Sequence, residues 1–186
     1  MDTRLGRVPG LPGNATSEVV PGKSCDLDAV VLAAAGLERI SRLDAVSEFL
    51  ETDVMLPAAG QGSLAIECRM ADAPRKPGAK EGSLDVLAQA LSALDDPDTR
   101  LAVTAERALL ARLEAGCAAP VGAYAYRKGS MLHLEAVVCA VDGTASVRDK
   151  RATDGLTEVG ATLLGIELAE VLLAAGAADI ADLQAS

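Results

Sequence analysis

Aromatic residues are nearly absent from this 186-residue chain, which has two tyrosines, one phenylalanine and no tryptophan. Base-stacking surfaces of the kind that hold single-stranded nucleic acid are thereby excluded, and the core must be built from Ala, Val, Leu and Ile. Histidine is equally scarce, with His133 alone. The four cysteines, Cys25, Cys68, Cys117 and Cys139, are far apart and form no C-x-x-C pair, so neither a structural zinc site nor a disulfide framework is expected. No apolar run approaches the roughly 20 residues that span a bilayer, and "MDTRLGRVPG" lacks the apolar centre of a signal peptide. Cations are the minority, 17 against 27 acids, and the net charge of -10 opposes general attraction to nucleic acid or anionic membrane. An anionic ligand would need a local cluster of arginines. These absences read as a cytoplasmic chain with no nucleic-acid, membrane or metal partner, in which the sequon at Asn14 is silent.

Half of the residues are hydrophobic, enough to exclude wholesale disorder. From Gly6 to Ser24 the prolines and glycines give no sustained period, so a loop is expected there. "DLDAVVLAAAG" carries a short apolar run, Ala29 to Ala33, that suits a buried strand. Leu37, Ile40, Leu43, Val46 and Leu50 follow at helical spacing. Strand, turn and helix in that order make an α/β pattern. "SLAIECRM" alternates like a half-buried strand with Leu64, Ile66 and Cys68 on one face, and a polar linker with prolines follows it.

The second half is better specified. "LDVLAQALSAL" reads as a short helix. A longer one takes Asp96 as N-cap, Pro97 as its first residue and Leu101, Ala105, Ala108, Leu109 and Leu113 as its buried stripe, with Gly116 placed as a left-handed C-cap. "VGAYAYR", "MLHLEAVVCAV" and "ASVRDKRAT", separated by "KGS" and "DGT", predict a three-stranded antiparallel meander. A last helix from Leu156 to Ala175 packs through Leu164, Leu168, Val171 and Leu172 and stops at Gly176. The expected architecture is thus an α/β part followed by a small α+β domain with helices on one face of the sheet.

Few residues could do chemistry. Cys68 and Cys139 fall inside expected strands and read as structural, Cys25 has no neighbouring base, and His133 reads as a solvated strand residue. With one histidine and no serine in a strained elbow, a hydrolase triad has no support. "AAGQGS" lacks the third glycine of a dinucleotide-binding loop. Cys117, at the corner where the long helix ends, is either a packing residue or an attachment point. A helix C-terminus carries partial negative charge and disfavours a thiolate, so a fast nucleophile is not expected there.

Four ordered segments nevertheless resemble one family, porphobilinogen deaminase, also called hydroxymethylbilane synthase. "AERALLARLEAGCAAPVGAYA" resembles that family's cofactor-attachment region, "LERxxxxxLxGGCxxPxGxYA", with Ala115 in place of the first glycine. "LPAAGQGSLAIECR" resembles its hinge segment, "DAVVLAAAGLERI" the strand and helix before it, and "DTRL" the tail of "RGNxxTRL". The resemblance implies that Cys117 carries a dipyrromethane cofactor through a thioether, on which four porphobilinogen units are polymerised. Each unit loses ammonia to give an electrophilic azafulvene that the terminal pyrrole attacks, and hydrolysis releases a linear tetrapyrrole. It also implies that Arg4 and Arg39 hold the acetates and propionates of the growing pyrrole chain, for which paired guanidinium donors are suited, and that Gln61 lines the same cleft.

The same resemblance sets the expected domains. Residues 1–62 correspond to a remnant of the second, periplasmic-binding-protein-like α/β domain and its hinge. Residues 63–83 correspond to a strand and linker returning to a first domain, and 84–186 to the C-terminal cofactor-bearing domain, of which Asp96 to Ser186 is expected to fold by itself. No counterpart is present of the "KD" segment, with its catalytic aspartate, or of "SSxRR". Gly6 to Ser24 stands where the family has a shorter helical link. The chain alone is therefore expected not to turn over, with a separate N-terminal half as an implied partner. The alternative is a non-catalytic remnant acting as a binding or interaction module. In either case "SLAIECRM", without its sheet, must stay unpaired, find another edge or leave its apolar face in water.

Overall fold

The computed structural model describes residues 2–8, 27–69, 86–116 and 119–181. Cys25, Asn14, most of the Gly6 to Ser24 loop, the linker after residue 70 and Cys117 itself lie outside the described residues. The chain divides into two compact units, Met1–Leu50 and Glu51–Ser186.

The first unit contains two short helices, α1 (Asp2–Leu5) and α2 (Ala34–Arg39), and a 3-10 turn at Leu43–Ala45. Leu5, Leu37 and Ala45 form its small core, with Leu32 and Val46 packed against them. Two expectations fail here. The helix anticipated from Leu37 to Leu50 ends at Arg39, because Ser41 takes a left-handed conformation (φ 55°) and the Arg42 N–H returns to the Leu37 carbonyl. The strand anticipated at Ala29–Ala33 is irregular, and Val31 is exposed. A strand exists only by pairing, and no described segment pairs with this one.

In the second unit, helix α3 (Val86–Leu94) buries none of its residues, whereas α4 (Pro97–Arg112) is central. Asp96 caps α4 as expected, accepting the Thr99 N–H at 2.7 Å, and that bond holds its carboxyl below the usual range. Three antiparallel strands follow in the order β1 (Val121–Lys128), β2 (Met131–Cys139) and β3 (Ser146–Thr153), with turns at Gly129 and Gly143 where the sequence placed them. The register pairs Ala123 with Ala136 and Ala136 with Asp149. Helix α5 (Glu158–Ala174) is capped by Thr157 and ends before Gly176 (φ 92°), and a short α6 (Ala177–Ala181), not anticipated, returns to the sheet.

Strand alternation sends Ala123, Ala125, Leu132, Leu134, Ala136 and Val138 to one face, where they are buried under Leu109 and Leu113 of the α4 end and Leu164, Leu168 and Leu172 of α5. This is the anticipated α+β domain with helices on one face. Its small side chains let α4 and α5 approach until a Cβ at Gly165 would lie 2.3 Å from the Ala105 carbonyl oxygen. The alternating segment after the hinge corrects the expectation of a half-buried strand and meets the other expectation, that without a sheet it would stay unpaired with its apolar face in water. Residues 64–69 form no strand, Leu64 and Ile66 are 86% and 57% exposed, and Cys68, expected inside a strand, is exposed as well. Cys139 is half-buried at the end of β2.

Candidate functional site

The corner that carries Cys117 is built by the end of α4. The chain leaves the helix through Glu114, which adopts φ 53° while the Ala115 N–H bonds back to the Leu110 carbonyl at 3.1 Å. This is a Schellman-type stop with glutamate in the left-handed position, two residues before the glycine to which the sequence reading assigned it. Beyond it the Ala119 N–H donates to the Gly116 carbonyl (3.0 Å), and the Pro120 carbonyl accepts from the Cys139 N–H (3.0 Å). Ala115 and Ala119 both pack against the core. The two ends of the cysteine corner are thus fixed by hydrogen bonds and apolar contact, and the exposed Gly116 leads into it.

A second element reaches the same core. Residues 52–61 lie along the sheet as a strap. Arg148 of β3 donates to the carbonyls of Thr52 (2.8 Å) and Asp53 (2.6 Å) while pairing with Glu135 (2.7 Å). Leu56 is buried against Gly122, where a Cβ would come within 2.9 Å of the leucine side chain, so only glycine admits the strap. The Ala123 N–H of β1 donates to the Pro57 carbonyl (2.9 Å), and Ala59 packs on the core cluster that also holds Ala115 and Ala119. The tip turns at Gly60 (φ 73°), a conformation glycine adopts without cost.

That tip is fastened by a residue the sequence reading passed over. Glu106 is buried in α4, only 6% exposed. Its carboxylate accepts the Gly60 N–H at 2.6 Å through Oε2 and the Ala125 N–H at 2.7 Å through Oε1. Burial raises its pKa, and the two N–H donors oppose that rise. A signal for it existed. Position 106 falls three residues before Leu109 and seven before Leu113, on the apolar stripe, where an acid requires a buried partner.

Gln61 sits at the strap tip, exposed, with its Oε1 accepting the Ala58 N–H (3.1 Å), which leaves its amide N–H groups facing solvent. Arg4 and Arg39, at the ends of α1 and α2 in the first unit, are exposed and have no acid within ion-pair reach among the described residues. Leu5 and Leu37, beside them in sequence, meet in one cluster. Free guanidinium donors of this kind suit carboxylates. His133 lies on the outer face of the sheet, its ring stacked on Tyr126 with centroids 5.1 Å apart. No group of three metal-ligating side chains occurs among the described residues, and no described helix is long and apolar enough to cross a membrane.

Two family models match the chain. Residues 6–76 match the one described as porphobilinogen deaminase, dipyromethane cofactor binding domain, and residues 100–174 match the porphobilinogen deaminase C-terminal domain. The chain belongs to the porphobilinogen deaminase family. Relatives within that family include a porphobilinogen deaminase of Cutibacterium acnes, 50% identical over 197 residues that take in 100% of this chain and 55% of the relative. Porphobilinogen deaminase 1 of Streptomyces avermitilis is 49% identical over 176 residues, 90% of this chain and 50% of its own length. That of Thermobifida fusca is 47% identical over 174 residues, covering 90% and 51%. The chain spans about half the length of the curated porphobilinogen deaminases it matches. The C-terminal family model begins within α4 and runs through the sheet to the end of α5, and so takes in the cysteine corner.

Proposed function

We propose that this chain is the cofactor-bearing part of a hydroxymethylbilane synthase, the transferase that condenses four porphobilinogen units with loss of ammonia, and that Cys117 anchors its dipyrromethane. The observation that carries the reading is the corner itself: both flanks of Cys117 are pinned to the core, in a segment matched by the family's C-terminal model. The fixed flanks would hold the anchor in place. The thiol attaches once, its sulfur forming a bond to the pyrrole methylene as the C–N bond breaks and ammonia leaves with the thiol proton. No standing thiolate is needed afterwards, so the negative end of α4 does not oppose the role.

When bound, dipyrromethane supplies a free pyrrole carbon for chain extension. The protein's own residues bind and orient: Arg4 and Arg39 would take carboxylates of the pyrrole chain, and Gln61 would donate from the strap tip. In this reading residues 1–62 belong to a second domain and its hinge, 63–83 lead back toward a first domain, and 84–186 carry the anchor. These 186 residues alone are expected to hold the cofactor without turning over, because the family's aspartate that assists deamination is not among them.

Intact mass of the purified chain beside Cys117→Ser tests the anchor. The parent alone should carry an added mass of two porphobilinogen units, each less ammonia. A parent of unmodified mass after incubation with porphobilinogen and the complementary half of a relative would overturn the assignment.

A further inference from the structure

The buried carboxylate of Glu106 has no part in the condensation chemistry above, yet it is the point where three elements meet. It belongs to α4, whose end leads into the Cys117 corner. Its Oε1 holds Ala125 of β1, the strand that leaves that corner, and its Oε2 holds Gly60, the residue before Gln61. Both partners are backbone N–H groups, which no rotamer change can supply from elsewhere, and both bonds are charge-assisted. The rest of the strap is held well upstream, by Arg148 at Thr52 and Asp53 and by β1 at Pro57. Without Glu106 the tip would retain only bonds within its own turn, between Ala58 and Gln61 and from Ser63 to the Gly60 carbonyl, and the contact of Ala59 with the core.

We propose that Glu106 is a positioning residue: it locks the loop bearing Gln61 to the two elements flanking Cys117 and so fixes where the Gln61 amide stands relative to the cofactor anchor. The proposal rests on the reading of Cys117 for its functional meaning, but the lock itself can be tested without it. Glutamine at position 106 would keep one acceptor oxygen and turn an NH2 group toward a second N–H, so one arm of the lock fails while volume and helix are kept. Leu109→Ala, one turn further along α4 and fully buried, weakens the same core without touching the lock.

The experiment compares amide hydrogen exchange in the 15N-labelled chain with Glu106→Gln and Leu109→Ala, with global stability measured in parallel by urea unfolding. The Gly60 and Gln61 amides should exchange at least tenfold faster in Glu106→Gln than its global stability accounts for. In Leu109→Ala they should follow the global loss. If both variants loosen the loop only in proportion to global stability, Glu106 is merely structural and the proposal is wrong. A second readout ties the lock to the anchor: the Gln61 side-chain NH2 resonances should differ between the cofactor-loaded parent and Cys117→Ser, and Glu106→Gln should abolish the difference. Loaded parent and Cys117→Ser giving identical Gln61 signals would also overturn it. An unloaded parent would sink the cofactor assignment and leave the exchange comparison to decide the lock.

Discussion

Replacing Gly165 with alanine should destabilise the second unit even though alanine is the better helix former. Two opposed effects can be weighed from the structure. An exposed helical glycine replaced by alanine gains roughly 0.8–1 kcal/mol. At Gly165, however, the added Cβ would stand 2.3 Å from the Ala105 carbonyl oxygen, 2.8 Å from the Ala108 Cβ and 2.8 Å from the Leu109 nitrogen. Two of those atoms are backbone, so no side-chain rotation relieves the clash. With ordinary contacts near 3.5 Å, α4 and α5 must part by about 1 Å. Overpacking of this kind costs typically 1–3 kcal/mol, and the upper end applies because separation also loosens Ala161, Leu168 and Leu109. The expected net loss is about 2 kcal/mol, which lowers the midpoint of a unit this size by roughly 7 °C. Thermal unfolding followed by circular dichroism measures it, with urea unfolding to show that the denaturant slope is unchanged. A Gly165→Ala chain that melts at or above the parent temperature would mean that propensity prevails, and the close helix approach described above would be wrong.

Glu114→Gly should stabilise the chain by roughly 1 kcal/mol, because the position is left-handed and glutamate there bears a steric cost that glycine lacks; an unchanged or lower urea midpoint would contradict the Schellman geometry. For Glu106 the sign follows from its raised pKa: the folded chain keeps the proton to higher pH than the unfolded one, so this contribution is present at low pH and is lost as pH rises from the ordinary glutamate value through the raised one. The stability deficit of Glu106→Gln relative to the parent should therefore shrink across that window in urea midpoints taken stepwise from acid to neutral pH, and a deficit that grows instead would show that the two N–H donors outweigh desolvation.

What the sequence made legible was what it encodes locally. Asp96 and Pro97 announce the start of α4, the glycines at 129 and 143 separate three alternating runs, and Gly176 marks the end of α5, whose start lies two residues after the expected Leu156 because Thr157 caps it. Each signal sits within a few residues of the element it specifies. The failures have a common physical origin too. Ala29–Ala33 and residues 64–69 carry strand-like patterns, but a strand is completed by a neighbour, and none of the described residues pairs with them. The helix expected through Leu50 kept its apolar period and lost its backbone at Ser41. At the candidate site Cys117, Arg4, Arg39 and Gln61 were legible only as residue types within quoted motifs, and their roles stand as proposals. The strap and its lock were not legible: an acid on the apolar stripe of α4 signals that Glu106 needs a buried partner, but Glu106, Arg148 and Gly122 meet atoms distant in sequence, and nothing local names them.

The strap has a consequence for one edge of the sheet. A three-stranded sheet has two open sides, each offering a row of main-chain donors and acceptors to any passing copy. On the β1 side the Pro57 carbonyl occupies the Ala123 donor, and Leu56 seals the notch over Gly122. The ten or so residues that would be taken for a mere connector thus act as a built-in stopper. Divided before Glu51, the second unit keeps its stopper. Divided after Gly62, it would retain every described strand and helix of the domain but uncover the Ala123 donor and the notch over Gly122, leaving on that flank the Ala125 N–H held by Glu106.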